Sequence, residues 1–282
     1  MSVRYNINMF KWLKNGIRFL LVTLGVVLLT SFTIDATDTL SGSQTALSIF
    51  SSKVSQDSCP MDMVLINHGS ERFCLDIYEA SPHSSCLYQQ PNNITDTTVN
   101  ISDPKCLAIS VPEVKPWTYV AKPQAEQLCA KSGKRLPTPT EWYLGSLGTP
   151  DNVTHCNLAG SLALTGSLSA CRSGIGSYDM IGNVWELVDG QVSEGFYDER
   201  QVPEEGYVAQ VDAAGIALLT SEVPNDIYNQ DYFWSRNEGQ FVLMRGGYYG
   251  SRKDGGIFST HAQSNQDFAS AAVGFRCAKS LM

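Results

Sequence analysis

The sequence predicts an α+β domain with little regular secondary structure, held together by disulfides. Three observations carry this expectation. Residues 61–80 (MDMVLINHGSERFCLDIYEA) alternate apolar and polar side chains around an Asn-His-Gly-Ser turn, the period of a half-buried hairpin. Two helix starts follow it, one at Pro123 and one at the Thr138-Pro139-Thr140-Glu141 capping box. Most of the remainder is polar or glycine-rich, with eight cysteines spread through it.

Residues 82–105, rich in Pro, Asn and Ser, predict a loop bounded by cysteines. The helix opened by Pro123 places Ala125, Leu128 and Cys129 on one face, and Gly133 stands just past its end. The capping box begins a second helix. Residues 151–178 carry almost no regular signal, and 190–230 read as acidic and loop-like with a weak helical pattern. From Phe241 to Cys277, short apolar pieces are separated by glycines, and no internal repeat emerges. Loops this long usually need staples or bound ions.

Composition narrows the function. The chain has 282 residues, 43% hydrophobic and 17% charged, which supports a packed core. Twenty basic residues stand against 28 acidic ones, a net charge of −8. Nucleic-acid binders collect Lys and Arg on one face, so no nucleic-acid partner is expected. The four histidines, at 68, 83, 155 and 261, argue against a His-rich metal site.

The N-terminus reads as an export signal. Residues 19–34 are uncharged, follow Arg4, Lys11, Lys14 and Arg18, and precede Asp35. This apolar stretch lies between a signal-peptide core and a membrane span of about 20 residues. Residues 1–36 are therefore expected to be a signal peptide or membrane anchor, with Ile34-Asp35-Ala36 as the cleavage site. Residues 37–57, rich in Ser and Thr, form a flexible tether, and 58–282 form the domain. Both alternatives place the body outside the cytoplasm, periplasmic or secreted, with membrane contact only through an uncleaved N-terminus.

Eight cysteines (59, 74, 86, 106, 129, 156, 171 and 277) behind such a signal predict four disulfides. Eight cysteines allow 105 connectivities, so spacing alone does not settle the pairing. Three sequential pairs would close short loops: Cys59–Cys74, Cys86–Cys106 and Cys156–Cys171. That would leave Cys129 with Cys277, which in the chain-entropy model contributes about 4–5 kcal/mol. No C-x-x-C pair is present, which argues against zinc. Asn93, Asn100 and Asn152 head glycan-acceptor triplets, relevant if the host modifies exported chains.

Three ordered segments resemble the formylglycine-generating enzyme, or sulfatase-modifying factor, family. They are Gly133-Lys134-Arg135-Leu136-Pro137-Thr138 with Glu141-Trp142; Tyr178-Asp179-Met180-Ile181-Gly182-Asn183-Val184-Trp185-Glu186; and Arg245-Gly246-Gly247-Tyr248, followed by Gly274-Phe275-Arg276-Cys277. The likeness spans roughly residues 59–279. It implies a variant of the C-type lectin fold and supports the Cys129–Cys277 pair.

The resemblance also implies metal sites. A first calcium would take the Asp179 and Glu186 side chains with the Gly182 and Val184 carbonyls. A second would use Asn157 and the Leu158 carbonyl, although 158–170 contains no acidic partner. Calcium favours six to eight such hard oxygens. The family's oxidases hold copper through two cysteines after the Arg-Gly-Gly segment. Here Ser251 and Gly256 fall approximately at those places, and no cysteine occurs between 171 and 277. A hydroxyl is a poor Cu(I) ligand, so copper is not expected and no catalytic residue is assigned.

Ser251, Arg252, Lys253, Asp254, His261, Gln263 and Asn265 would rim the cleft where family members bind peptide. Trp234, Tyr248 and Tyr249 add aromatic surface. The sequence therefore predicts an exported binding or structural module with calcium, whose partner is a peptide, protein or glycan. The alternative is an extracytoplasmic oxidoreductase of the same family with a rebuilt site, for example in peptide maturation.

Overall fold

The hairpin forms where the alternation places it. In the computed structural model, which describes Ile17 and residues 58–281, strands β1 (Met63–His68) and β2 (Glu71–Asp76) pair antiparallel with Met63 opposite Asp76 and His68 opposite Glu71. Strand β14 (Ala278–Ser280) adds to β2, giving a three-stranded sheet. Ser81–Pro82 (β3) and Ala108–Ile109 (β4) form a separate two-stranded pair. The expected export segment and tether lie outside the described residues, apart from Ile17 and Ser58. Among the described residues no helix is long and apolar enough to cross a membrane. Cys59–Leu281 forms one unit.

Both expected helices are present. Helix α2 (Lys122–Lys131) has Pro in its first turn and buries Ala125, Leu128 and Cys129, and Gly133 follows it in the left-handed region at φ 68°. Helix α3 (Pro139–Ser146) begins at its capping box. The Thr138 hydroxyl accepts from the Glu141 N–H, and the Glu141 carboxylate accepts from the Thr138 N–H at 2.8 Å.

Two loop assignments are corrected. Residues 82–105 contain helix α1 (Ile94–Ser102), capped by the Asn93 side chain, which accepts from the Asp96 N–H. This helix is held by polar groups. Thr97 donates to the Tyr119 carbonyl and accepts from Trp117 Nε1, while Asn100 clasps the backbone of Tyr88 from both sides. With no apolar stripe, hydrophobic periodicity had nothing to register. Asn100 is fully buried, so its triplet carries no glycan in this fold.

Residues 190–230 contain strands rather than loop. After β5 (Trp185–Ser193) come β6 (Phe196–Tyr197), β7 (Arg200–Gln201) and the hairpin β8 (Gly206–Val211) to β9 (Ala217–Ser221). The Asp212 carboxylate organises the turn of that hairpin by accepting from the Ala214 and Ile216 N–H groups. Register shifts after Val208 and Gln210 break the two-residue alternation that marks a strand in sequence.

The large sheet runs β7-β6-β5-β11-β12-β10-β8-β9, with β13 (Val273–Phe275) beside β5. Strand β10 is Tyr232–Ser235, β11 is Gln240–Arg245 and β12 is Thr260–Ala262. Two pairings are parallel, β10 with β12 and β13 with β5. The sheet separates two apolar clusters. Val188, Phe233, Leu243 and Ala262 face one, with Trp142 and Leu75; Trp185, Leu187, Met244 and Val273 face the other, with Trp117 and Leu128. Residues 151–178 contain no helix or strand, as expected, and are stapled by Cys156–Cys171. The remaining disulfides are Cys59–Cys74, Cys86–Cys106 and Cys129–Cys277, so all eight cysteines are bonded. Cys129–Cys277 ties α2 to the connection between β13 and β14.

Candidate ligand-binding site

Alternation along the central strands sends a row of side chains to one face. Trp234 of β10 stands beside His261 of β12, which stands beside Met244 of β11. Trp185 of β5, opposite Val273 of β13, completes this face. The loop after Arg245-Gly246-Gly247 folds over it through a single 3-10 turn at Arg252–Asp254. Between them lies a cavity of about 540 Å³ lined by Trp185, Trp234, Tyr248, Ser251, Asp254 and His261, among others. Its rings contact one another: Trp185 meets Trp234 edge-to-face at 5.4 Å, and His261 lies 5.8 Å from Trp185 and 6.2 Å from Trp234.

Of the expected cleft residues, Ser251, Asp254, His261 and Gln263 line this cavity. Arg252 and Lys253 do not. Arg252 is exposed and its N–H donates to the Leu158 carbonyl, while Lys253 reaches over the Tyr207 ring. Asn265 lines a smaller depression with Gln191 and Gln240. Trp185 was missed because it belongs to the segment read for calcium; it reaches the cavity only because β5 lies beside β11 and β13. Burial pushes His261 down to about 4, so its imidazole is neutral. Its Nδ1 and Asp254 Oδ1 are buried without a hydrogen-bond partner. Ser251 is committed locally, its Oγ accepting from the Tyr248 N–H at 3.0 Å.

The family-like segments place Trp185 and Tyr248 in the cavity wall, and their charged residues are tied into the surrounding structure. Lys134 bridges Asp62 and Asp76 at 2.6 Å each, and Arg135 grips Glu141 through both nitrogens. Arg245, fully buried, donates to the carbonyls of Ala214, Gly215, Ile257 and Ser259, and lies 4.8 Å over the Trp142 ring. Burial lowers its guanidinium to about 10. Arg276 donates to both oxygens of Glu186, at 2.6 and 2.7 Å, and Trp142 Nε1 donates to the same carboxylate.

That last network bears on calcium. Both Glu186 oxygens are taken, so this side chain contributes charge rather than a free ligand atom. Asp179 accepts from the Gly166 N–H, and burial raises its carboxyl to about 6. Glu79, which the sequence reading did not include, lies in the same cluster; its Oε2 accepts from Asn183 and its Oε1 is buried and unpartnered. Burial and the neighbouring carboxylates of Asp179 and Glu186 hold Glu79 well above the usual range. Three acids thus face one guanidinium. Among the described residues no three His, Cys, Asp or Glu side chains are arranged to hold a metal, so an ion here would draw on carbonyls such as those of Gly182 and Val184. The second set fits less well. The Leu158 carbonyl is occupied by Arg252, the Asn157 amide donates to Ser161 and Asn183, and no carboxylate joins them.

Gly256 does not line the cavity. A β-carbon there would run into Oδ1 of Asp231 and stand 2.5 Å from Oδ1 of Asp151. The position that the resemblance assigned to a copper ligand is occupied by two carboxylates instead.

A mixed sheet of short strands, three helices among the described residues and four disulfides make up a C-type-lectin-like domain of the formylglycine-generating type. The chain belongs to the family of the sulfatase-modifying factor enzyme 1-like domain, whose model matches residues 67–281. No curated protein sequence matches it. Among solved structures, the Major Tropism Determinant M1 variant is 14% identical over 79% of this chain and 53% of its own, with a TM-score of 0.46. PvdO from Pseudomonas aeruginosa is 15% identical over 75% of this chain and 82% of its own, at 0.44. CarF is 13% identical over 79% and 99%, at 0.43. The chain spans about half the length of the tropism determinant chains that it matches.

Proposed function

We propose that this chain is an extracytoplasmic ligand-binding member of the sulfatase-modifying factor family, recognising a peptide, protein or glycan in the aromatic cavity, and not a formylglycine-generating oxidase. The observation that carries this reading is chemical. Every cysteine is in a disulfide, and the loop that would hold copper has Ser251, hydrogen-bonded to Tyr248, and Gly256, closed off by Asp151 and Asp231. Thiolate is the ligand that selects Cu(I), and none is available. A cavity with mixed aromatic walls and few polar groups suits binding.

Four disulfides support a location outside the reducing cytoplasm, as does the uncharged stretch at 19–34 behind four basic residues. Calcium enters this reading through Asp179 and nearby carbonyls. Its support is the excess of buried carboxylate at Glu79, Asp179 and Glu186 over Arg276 alone.

Copper analysis with oxygen uptake on a Cys-containing peptide tests the reading. Neither stoichiometric copper nor turnover is expected. Copper at one per chain with loss of the peptide thiol would replace this reading with the oxidoreductase one.

A further inference from the structure

We propose that the cavity selects a primary ammonium or guanidinium group, held by Asp254 and the faces of Trp185, Trp234 and Tyr248. This rests on the ligand-binding reading of the same cavity and names the chemical class of its ligand.

The walls are π-rich. Trp185 is in ring contact with Trp234, Tyr248 and His261, and Trp234 also meets Tyr232 at 4.9 Å. Rings so arranged attract cations through their quadrupoles. No Lys or Arg lines the cavity, and His261 is neutral, so nothing in the wall competes for that role.

The polar groups select further. Asp254 Oδ1 and His261 Nδ1 are buried with no partner. A buried carboxylate oxygen without a donor is costly, and a ligand N–H repays it with a charge-assisted bond. A primary ammonium brings three donors and a guanidinium five, whereas a quaternary ammonium brings none. The surroundings reinforce the sign. Gln263, on the cavity wall, donates to Glu205, which lines an adjoining depression with Glu204 and Glu238. Arg236 is the one cation of that depression and lies over the Phe241 ring.

Tryptophan fluorescence of the purified protein, titrated with defined probes, tests this. The probes are blocked tripeptides centred on Lys, Arg, acetyl-lysine, citrulline, trimethyl-lysine and Glu, together with free n-pentylamine. Lys and Arg peptides are expected to bind at least about tenfold more tightly than their neutral partners, with trimethyl-lysine weaker than Lys. Asp254→Asn should remove that preference, and Tyr248→Leu should weaken the cationic probes while the thermal midpoint is retained. Pentylamine matching the Lys peptide supports a small amine as the source, whereas a preference for peptides supports a side chain of an exported partner. Acetyl-lysine or citrulline binding as well as Lys or Arg would overturn the cation assignment and leave the binding reading standing. No response to any probe would overturn the cation assignment. A further null with unrelated peptides and oligosaccharides would remove the binding reading too.

Discussion

Gly256 lies against Asp231, with the unpartnered Oδ1 of that buried carboxylate where a side chain at 256 would begin. Asp151 presents its own Oδ1 to the same point, while its Oδ2 accepts from the Ile257 N–H and Asn229. The second oxygen of Asp231 accepts from the Phe258 N–H at 2.7 Å. The loop that would carry copper is thus pinned by two acids that tolerate only glycine.

Installing the missing cysteines should therefore fail. Ser251→Cys with Gly256→Cys is expected to bind no copper, and Gly256→Cys alone should destabilise by about 1–3 kcal/mol, as overpacking does. Thermal melting should fall by several degrees. A stable double variant that loads copper stoichiometrically would show that this loop rearranges freely.

The same pair makes stability depend on pH. Burial raises Asp151 to about 6, and burial together with the Asp151 charge raises Asp231 well above its ordinary 3.8. The folded state keeps these protons longer than the unfolded chain. Their contribution is full below about pH 4; the Asp151 share is lost as pH rises through about 6, and the Asp231 share as pH rises through its own raised value. Asp231→Asn supplies a permanent N–H in place of the proton, so it should raise the melting temperature at pH 7.5 more than at pH 4.5. Comparing variant with wild type at each pH cancels the opposite effect of His261, whose lowered value costs stability as pH falls from about 6.5 towards 4. Equal shifts at both pH values would count against a proton retained on Asp231 in the folded state.

Arg276 and Glu186 form a fully buried pair 90 residues apart in sequence. Arg276→Met leaves Glu186 charged and unpaired, at a cost of about 3–5 kcal/mol. Adding Glu186→Gln should recover much of that loss, since Gln still accepts from Trp142 Nε1. Urea unfolding of the single and double variants measures it. A single variant as stable as wild type would mean that the pair is not buried as described.

Disulfide removal should rank by loop length. Replacing Cys129 and Cys277 by Ala is expected to cost about 4–5 kcal/mol, and the Cys156–Cys171 pair about 3 kcal/mol. Their separations are 148 and 15 residues. Non-reducing peptide mapping should find all four bonds and no free thiol. Two or more free thiols would refute the set.

Calcium is predicted to act through the excess of carboxylate around Arg276. Chelation should lower the melting temperature by several degrees, where about 1 kcal/mol corresponds to roughly 2–4 °C at this size. Glu79→Gln should shrink that response. An unchanged midpoint, with no calcium in the purified protein, would remove the site.

What the sequence determined by itself was local or combinatorial. Alternation around Gly69 made the β1–β2 hairpin, and Thr138 with Glu141 started α3, because each signal acts within a few residues of itself. Cysteine spacing and the ordered family-like segments supplied the disulfide frame and the fold class. Tertiary structure decided the rest. Helix α1 forms because Tyr88, Trp117 and Tyr119 satisfy its Asn100 and Thr97 side chains, partners 12 to 22 residues away. The resemblance implies Glu186 as a calcium ligand; its pairing with Arg276 is decided by β13 running parallel beside β5. The cavity exists because β10 and β12 bring Trp234 beside His261. Side-chain direction in a strand follows from a period of two, but which strands become neighbours depends on burying two apolar faces at once, and no single segment encodes that choice.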